Sequence, residues 1–485
     1  MEANYLDSRS RLFPPPMLLG IFFLSGAAGL IYQTLWSKHL QLIFGSTTEA
    51  VSVVLATFMS GLGLGSYLFA ARADRMKHPI RLYAWLEIGI GIFAILTTPL
   101  LRLATSLYSG IAGSLELTGS SAMLLKLIVS VLVLLPPAVL MGGTFPAIVR
   151  TPSGTDRRRR VAGLYAVNIL GAVAGALLTG FFFVHSLGLS ATMLLAAALN
   201  IAIGLIVLLL SKRFDAEAEI AETDDVETRS ALTSLREFFA SQPGRIAVLG
   251  LFVSGATTML YEVIFTRILV IIFGVSTHAF TIVLAAFLTG LGLGAIFLAL
   301  LLRRYLPTLW GFALSQIGVA IAATFVITIL PAFPRLLLYL HQIPGLDFWE
   351  VFSVKALLLF LILVPIATVA GLSMPLLLAA LARDERHLSR SVGAAYVVNT
   401  AGTLVGSLAA GFLVIPLVGS EVGLKLTIGI NVGLGWLEEV TLLAEAESAT
   451  RVLEAAEAAR VLDEIRALAP EAMHKPPVSP LLSGQ

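Results

Sequence analysis

The sequence contains no cysteine and little charge, and each shortage excludes something. Without a thiol there can be no disulfide, no thiolate metal site and no cysteine nucleophile. Only 13% of the 485 residues are charged, about half the roughly 25% of a soluble domain. Apolar residues make up 57% and the mean hydropathy is +0.92, so the chain reads as a polytopic membrane protein with the lipid bilayer as its first partner. A net charge of +2 is too small to draw nucleic acid. Histidines stand alone at 39, 78, 185, 278, 341, 387 and 474, never at i, i+3 or i+4, so no metal site is expected. No glycine-rich turn follows a strand, so no cofactor is expected either. The opening MEANYLDSRSRLFPPPM lacks the pattern of a cleaved signal peptide; the apolar run after it reads as a retained first span.

What is present is present twice. Phe23 to Gly65 returns as Phe252 to Gly294 at a constant offset of 229, and 20 of the 43 positions are identical. Chance similarity between apolar stretches would match in Leu, Val and Ala. Here the matches include Ser25/Ser254, Gly26/Gly255, Tyr32/Tyr261, Phe44-Gly45/Phe273-Gly274 and Thr48/Thr277. Pro136/Pro365, Gly142/Gly371 and Pro146/Pro375 keep that offset, and after two inserted residues Tyr165 to Asn168 matches Tyr396 to Asn399. The pattern is that of a duplicated unit.

Apolar runs of about 20 residues predict six spans per unit, at 17–37, 49–71, 81–101, 119–141, 160–184 and 189–211, then 246–266, 275–301, 307–330, 351–376, 392–416 and 422–437. The expected fold class is therefore all-α and polytopic: about twelve transmembrane helices as two parallel six-helix repeats, major-facilitator-like. The segments read as a cytoplasmic N-terminus (1–16), a first repeat (17–211), an acidic cytoplasmic linker (212–244), a second repeat (245–437) and a cytoplasmic tail (438–485). That tail joins an amphipathic helix over about 440–469 to a Pro-rich end. Lys and Arg crowd loops 2–3, 4–5, 8–9 and 10–11, while 184–189 and 417–420 have none. The positive-inside rule then puts both termini in the cytoplasm, with the protein in the cell (inner) membrane.

Two residue sets stand out. Gly61, Gly63, Gly65 and their twins Gly290, Gly292, Gly294, with Gly171 and Gly175 beside Gly402 and Gly406, place small residues on helix faces where backbones can approach. A phosphate-cradling loop fits them less well, since no strand precedes any of them. Gly142-Gly143 beside Pro146 is expected to break or kink its span. Polar residues inside spans each cost several kcal/mol unless partnered or wet. Lys126 and Lys355 are equivalent, and at similar depth lie Tyr32-Gln33 and Tyr261-Glu262; Glu87 lies in span three, opposite Gln316 in span nine. The expected contacts are Lys355 with Glu262 and Lys126 with Gln33, either in a transport pathway or as register-fixing bridges. Asn168 and Asn399 read as interhelical hydrogen-bond donors. Asp74 with Arg72 or Arg75 forms a candidate one-sided latch in loop 2–3. No residue pattern reads as catalytic.

At SGAAGLIYQTLWSKHLQLIFGST, FMSGLGLGS, MGGTFP and LYAVNILGAVAG, over about 17–437, the chain resembles the membrane part of the spermidine-synthase-like proteins, fused major-facilitator/spermidine synthases. Asp74-Arg75 is also similar to the loop 2–3 signature of the major facilitator superfamily. The resemblance implies a cytoplasmic aminopropyltransferase-like domain with a glycine-rich nucleotide loop and a catalytic Asp. This chain departs from that: 48 residues follow Leu437 and Gly484 is the sole glycine among them, where a nucleotide-binding domain would need well over about 100 residues. Truncation or replacement of the enzyme domain is the expectation. Three functions follow. One is a transporter-like bundle for a small, polyamine-related solute. Another is the membrane anchor of an aminopropyltransferase acting with a separate soluble domain. The third is a structural subunit docking a partner through 440–469.

Overall fold

A chain this apolar can satisfy its backbone in lipid only by helix or closed barrel, and it takes the first course. The computed structural model describes residues 15–45, 47–114, 119–151, 157–214, 242–273, 277–301, 309–343, 345, 347–381 and 385–437. Most of the expected linker (215–241), the Asp74 side chain and the helix expected over 440–469 fall outside what is described.

The first half comprises α1 (Pro15–Phe44), α2 (Thr47–Arg75), α3 (Pro79–Ser114), α4 (Gly119–Val149), α5 (Arg157–Leu178) and α6 (Val184–Phe214). The second comprises α7 (Gln242–Phe273), α8 (Thr277–Leu301), α9 (Leu309–Ile329), a short α10 (Phe333–Gln342), α11 (Phe348–Leu381), α12 (Glu385–Ala409) and α13 (415–435). Both halves lie in one packed unit ending at Gly435; Trp436 and Leu437, both helical, are the described part of a second unit.

Ten helical stretches among the described residues are long and apolar enough to cross a bilayer. Two of them, Gly163–Ser211 with 49 residues and Val397–Leu437 with 41, are twice the roughly 20 residues one crossing needs. Each changes direction at a glycine. Gly188 has φ 78° and ψ 173° and Gly419 has φ 80°, backbone that other residues rarely adopt. Counting both bends gives twelve crossings in two repeats of six.

Packing repeats between halves. α1 lies against α5 and α7 against α12; α2 lies against α4 and α8 against α11; α3 packs on α6 and α4, and α9 on α11. Glycines set these distances. A methyl group at Gly171 or Gly175 would collide with the carbonyls of Phe23 and Ala27, and one at Gly402 or Gly406 with those of Phe252 and Ala256. Gly142 does not break its span: α4 runs unbroken through Pro136, Pro137 and Pro146, and Gly142 is instead where α2 passes, at Leu62. Outward faces carry large apolar side chains, such as Leu132, Leu209, Phe325 and Leu361, as lipid contact requires.

Three features exceed the sequence expectations. α5 and α12 each run into a π-helical turn, Thr179–Phe183 and Ala410–Val414. α3 is a single helix of 36 residues, whereas its counterpart α9 stops at a 3-10 turn at Leu330–Ala332 around Pro331. The added α10 then tucks Phe333 and Leu337 inward and exposes Leu338 and Tyr339.

Candidate functional site

Each half is centred on a buried polar group where its first, third and last spans meet. In the first half this is Glu87, fully buried on α3. Ser25 Oγ on α1 donates to Glu87 Oε1 at 2.6 Å, and Asn200 Nδ2 on α6 donates to Oε2. Asn200 Oδ1 accepts from the Tyr32 hydroxyl at 2.8 Å. Tyr32 stacks on Trp36 with ring centroids 6.0 Å apart, which fixes its direction. One chain of hydrogen bonds therefore runs Tyr32–Asn200–Glu87–Ser25 through three helices.

In the second half the same frame holds Gln316. Its Nε2 donates to Ser254 Oγ at 3.4 Å and to Ser373 Oγ at 2.9 Å, and its Oε1 accepts from Asn431 Nδ2 at 2.8 Å. Ser254 is the twin of Ser25, Gln316 of Glu87, and Asn431 of Asn200 once the two-residue insertion is counted. Tyr261 stacks on Phe265 as Tyr32 does on Trp36. Yet neither the Tyr261 hydroxyl nor Asn431 Oδ1 finds a hydrogen-bond partner. The two halves share the frame and differ in charge, in that bond, and in the bond to Ser373, whose first-half counterpart Thr144 donates to Met141 O instead.

The structure does not gather all the sequence candidates at one point. Tyr32 and Glu87 share a centre, and Tyr261 lies in the equivalent place. Gln33 and Glu262 are buried on α1 and α7. The expected Lys126–Gln33 contact is replaced by another: the Lys126 ammonium lies over the Tyr108 ring, 5.2 Å from its centroid, an attraction that needs no buried partner. The expected Lys355–Glu262 pair is not formed either. Among the described residues the ion pair is Lys425–Glu421, at 2.7 Å on an exposed face. Lys355 is only partly buried whereas Glu262 is enclosed, and a long lysine stem reaches outward at less cost than it carries charge inward. Asn168 Nδ2 does donate across helices, to Phe22 O at 3.1 Å. Asn399 lies where α12 passes Gly255.

Ser25, Asn200, Ser254, Ser373 and Asn431 were not singled out from sequence. The available signal was the offset: two asparagines, mid-span in the last helix of each half, 231 residues apart.

A second feature is the seam between halves. The glycine triplets face two ways. Gly61 and Gly65 abut Ala138 and Val139 of α4, while Gly63, between them, meets Thr400 of α12. Likewise Gly290 and Gly294 abut Ala367 and Thr368 of α11, while Gly292 meets Ile169 of α5. The π-turns complete the seam: Gly180 presses on Thr281 of α8, and Gly411 on Ser52 of α2. Ser407 Oγ donates to Ser52 O at 2.7 Å, and Arg267 Nη1 to Thr48 Oγ1 at 3.0 Å. Phe181, His278 and Phe352 form a three-ring cluster over the α5–α8 contact, with centroids 5.1 to 5.6 Å apart. Among the described residues no group of three His, Asp or Glu could hold a metal ion.

No family model and no curated protein matches the chain, so the spermidine-synthase-like resemblance gains no support there. Solved structures do match. A point mutant of the nucleoside transporter NupG superposes with TM-score 0.58 at 14% identity, over 88% of this chain and 99% of that one. A POT family transporter in complex with 5-aminolevulinic acid gives 0.55 at 14% identity, over 88% and 95%. At such identity the likeness concerns fold alone. The described residues thus form an all-α, multi-pass membrane bundle of major-facilitator-like fold, with ten long apolar helical stretches, or twelve when the bends at Gly188 and Gly419 are counted.

Proposed function

We propose that this protein moves a small solute across the membrane by rocking its two halves about the α2–α12 and α5–α8 seams. The supporting observation is the seam itself. Each half packs its own helices through one set of glycines and meets the other half through a different set, so the bodies can shift without unpacking. The likeness to transporters over nearly their whole length agrees with this. In our reading the solute passes near Tyr32, Gln33, Lys126, Tyr261, Glu262 and Lys355, with Glu87 in reserve behind them. Its class is a small cationic or amphipathic compound, polyamine-related if the sequence resemblance is followed. Both termini face the cytoplasm of a cell whose inner membrane holds the protein.

The test is thermal stabilisation of purified protein by a panel of polyamines, nucleosides and small amino acids, followed by uptake into proteoliposomes. A solute that raises the Tm and accumulates inside supports the proposal. No stabilisation by any of them, with co-purification of a soluble transferase that is lost on deleting 440–485, would favour the anchor reading instead.

A further inference from the structure

We infer that Glu87 is a proton-binding site, a carboxyl whose charged and neutral forms are both accommodated by the same three-helix frame. The argument rests on the twin. Gln316 has the shape of a protonated Glu, one oxygen that accepts and one polar atom that donates. Its Oε1 accepts from Asn431 as Glu87 Oε2 accepts from Asn200. Its Nε2 donates to Ser254 Oγ at 3.4 Å, at the place where Glu87 Oε1 meets Ser25 Oγ, and sends its second hydrogen to Ser373 Oγ at 2.9 Å, a bond that a carboxylic acid, with one hydrogen, would not need. The fold has therefore already built the neutral version of this site, with the hydrogen pointing the other way along the serine bond.

Only one hydroxyl must turn to interconvert the forms. With the carboxylate, Ser25 donates to Oε1. When a hydronium ion delivers its proton to Oε1, the new O–H donates to Ser25 Oγ. The serine hydrogen then turns to the carbonyl one turn back on its own helix, the bond that helical serines make by default, and water leaves. Asn200 keeps its bond to Oε2 throughout. No helix has to move.

The surroundings favour such a role. The titratable groups facing Glu87 are Tyr83 on its own helix and Tyr32 on α1; α6 brings Asn200, and no Lys, Arg or His among the described residues acts on it. Two residues further along α3, Gly89 lies against the apolar Leu140 of α4. A buried carboxylate held by neutral donors alone lacks the cation that would fix its charge permanently, so solvent protons decide its state.

The test is infrared spectroscopy of the purified full-length protein through a pH titration, reading the carbonyl stretch of protonated carboxylic acid. Wild type should show such a band, E87Q should lose one component of it, and E262Q should keep that component. E87Q should also stay folded, because Gln occupies the same frame in the second half. Q316E should gain a further band. The inference is overturned if E87Q leaves the spectrum unchanged at every pH, if E87Q unfolds, or if Q316E adds nothing. None of these measurements needs a transported solute, so transport can fail as a reading while this site stands.

Discussion

The Tyr32 hydroxyl donates to Asn200 Oδ1 at 2.8 Å, whereas their repeats Tyr261 and Asn431 leave the matching hydroxyl and oxygen unbonded. A buried hydrogen bond contributes about 1 kcal/mol net, and orphaning one partner costs about 1–3 kcal/mol. Tyr32→Phe should therefore lower stability by about 1–2 kcal/mol, and Tyr261→Phe should leave it unchanged. Thermal unfolding of both variants in the same detergent checks this; an equal loss in both would show that the rings, not the hydroxyls, matter.

Gly65 gives a contrast within one residue type. A side chain there meets the Val139 carbonyl of α4, while one at Gly29 on α1 has nothing within 4 Å. Gly65→Val should cost about 3 kcal/mol or more, since backbone rather than a flexible side chain must give way. Gly29→Ala should be neutral. Yield of monodisperse protein is the readout.

The seam can be probed with sulfur because the chain has none of its own in cysteine form. Ser407 reaches the Ser52 backbone, so Ser52→Cys with Ser407→Cys should form a disulfide on mild oxidation, with no background from other thiols. A non-reducing gel after cleavage within 215–241 should show the halves linked. Halves that separate fully would place α2 and α12 apart.

The orientation expected from loop charge is open to a labelling test. Ser186→Cys, at an exposed bend, should react with a membrane-impermeant maleimide on intact cells, and Lys77→Cys only after lysis. Labelling of Lys77→Cys from outside would invert the topology.

Much of this architecture was legible because duplication is a strong signal. Glycines, tyrosines and turns that recur at one offset locate helices more securely than hydropathy does, and glycine spacing identified close approaches. The charged residues misled. Lys126 and Lys355 looked like buried counter-ions, but a lysine stem is long enough to choose its own level, and Lys126 chose a tyrosine ring. Ser25 was read only as a marker of the repeat and Asn200 passed unnoticed, because an uncharged polar residue in an apolar helix looks the same whether it bonds its own backbone or a neighbour's carboxyl. The π-turns were invisible for a related reason: TGFFF and AGFLV carry no marker of an extra residue in the turn.

Those wide turns also recur with the repeat. Thr179–Phe183 and Ala410–Val414 lie 231 residues apart, in register with everything downstream of the two-residue insertion. The bulge is therefore part of the repeated unit. In each copy the bulge presses its glycine on the opposite half, Gly180 on Thr281 and Gly411 on Ser52. Each half thus offers the other the same pair of surfaces, a bulge glycine and a hydroxyl, so one change in the repeated pattern would alter both seams at once.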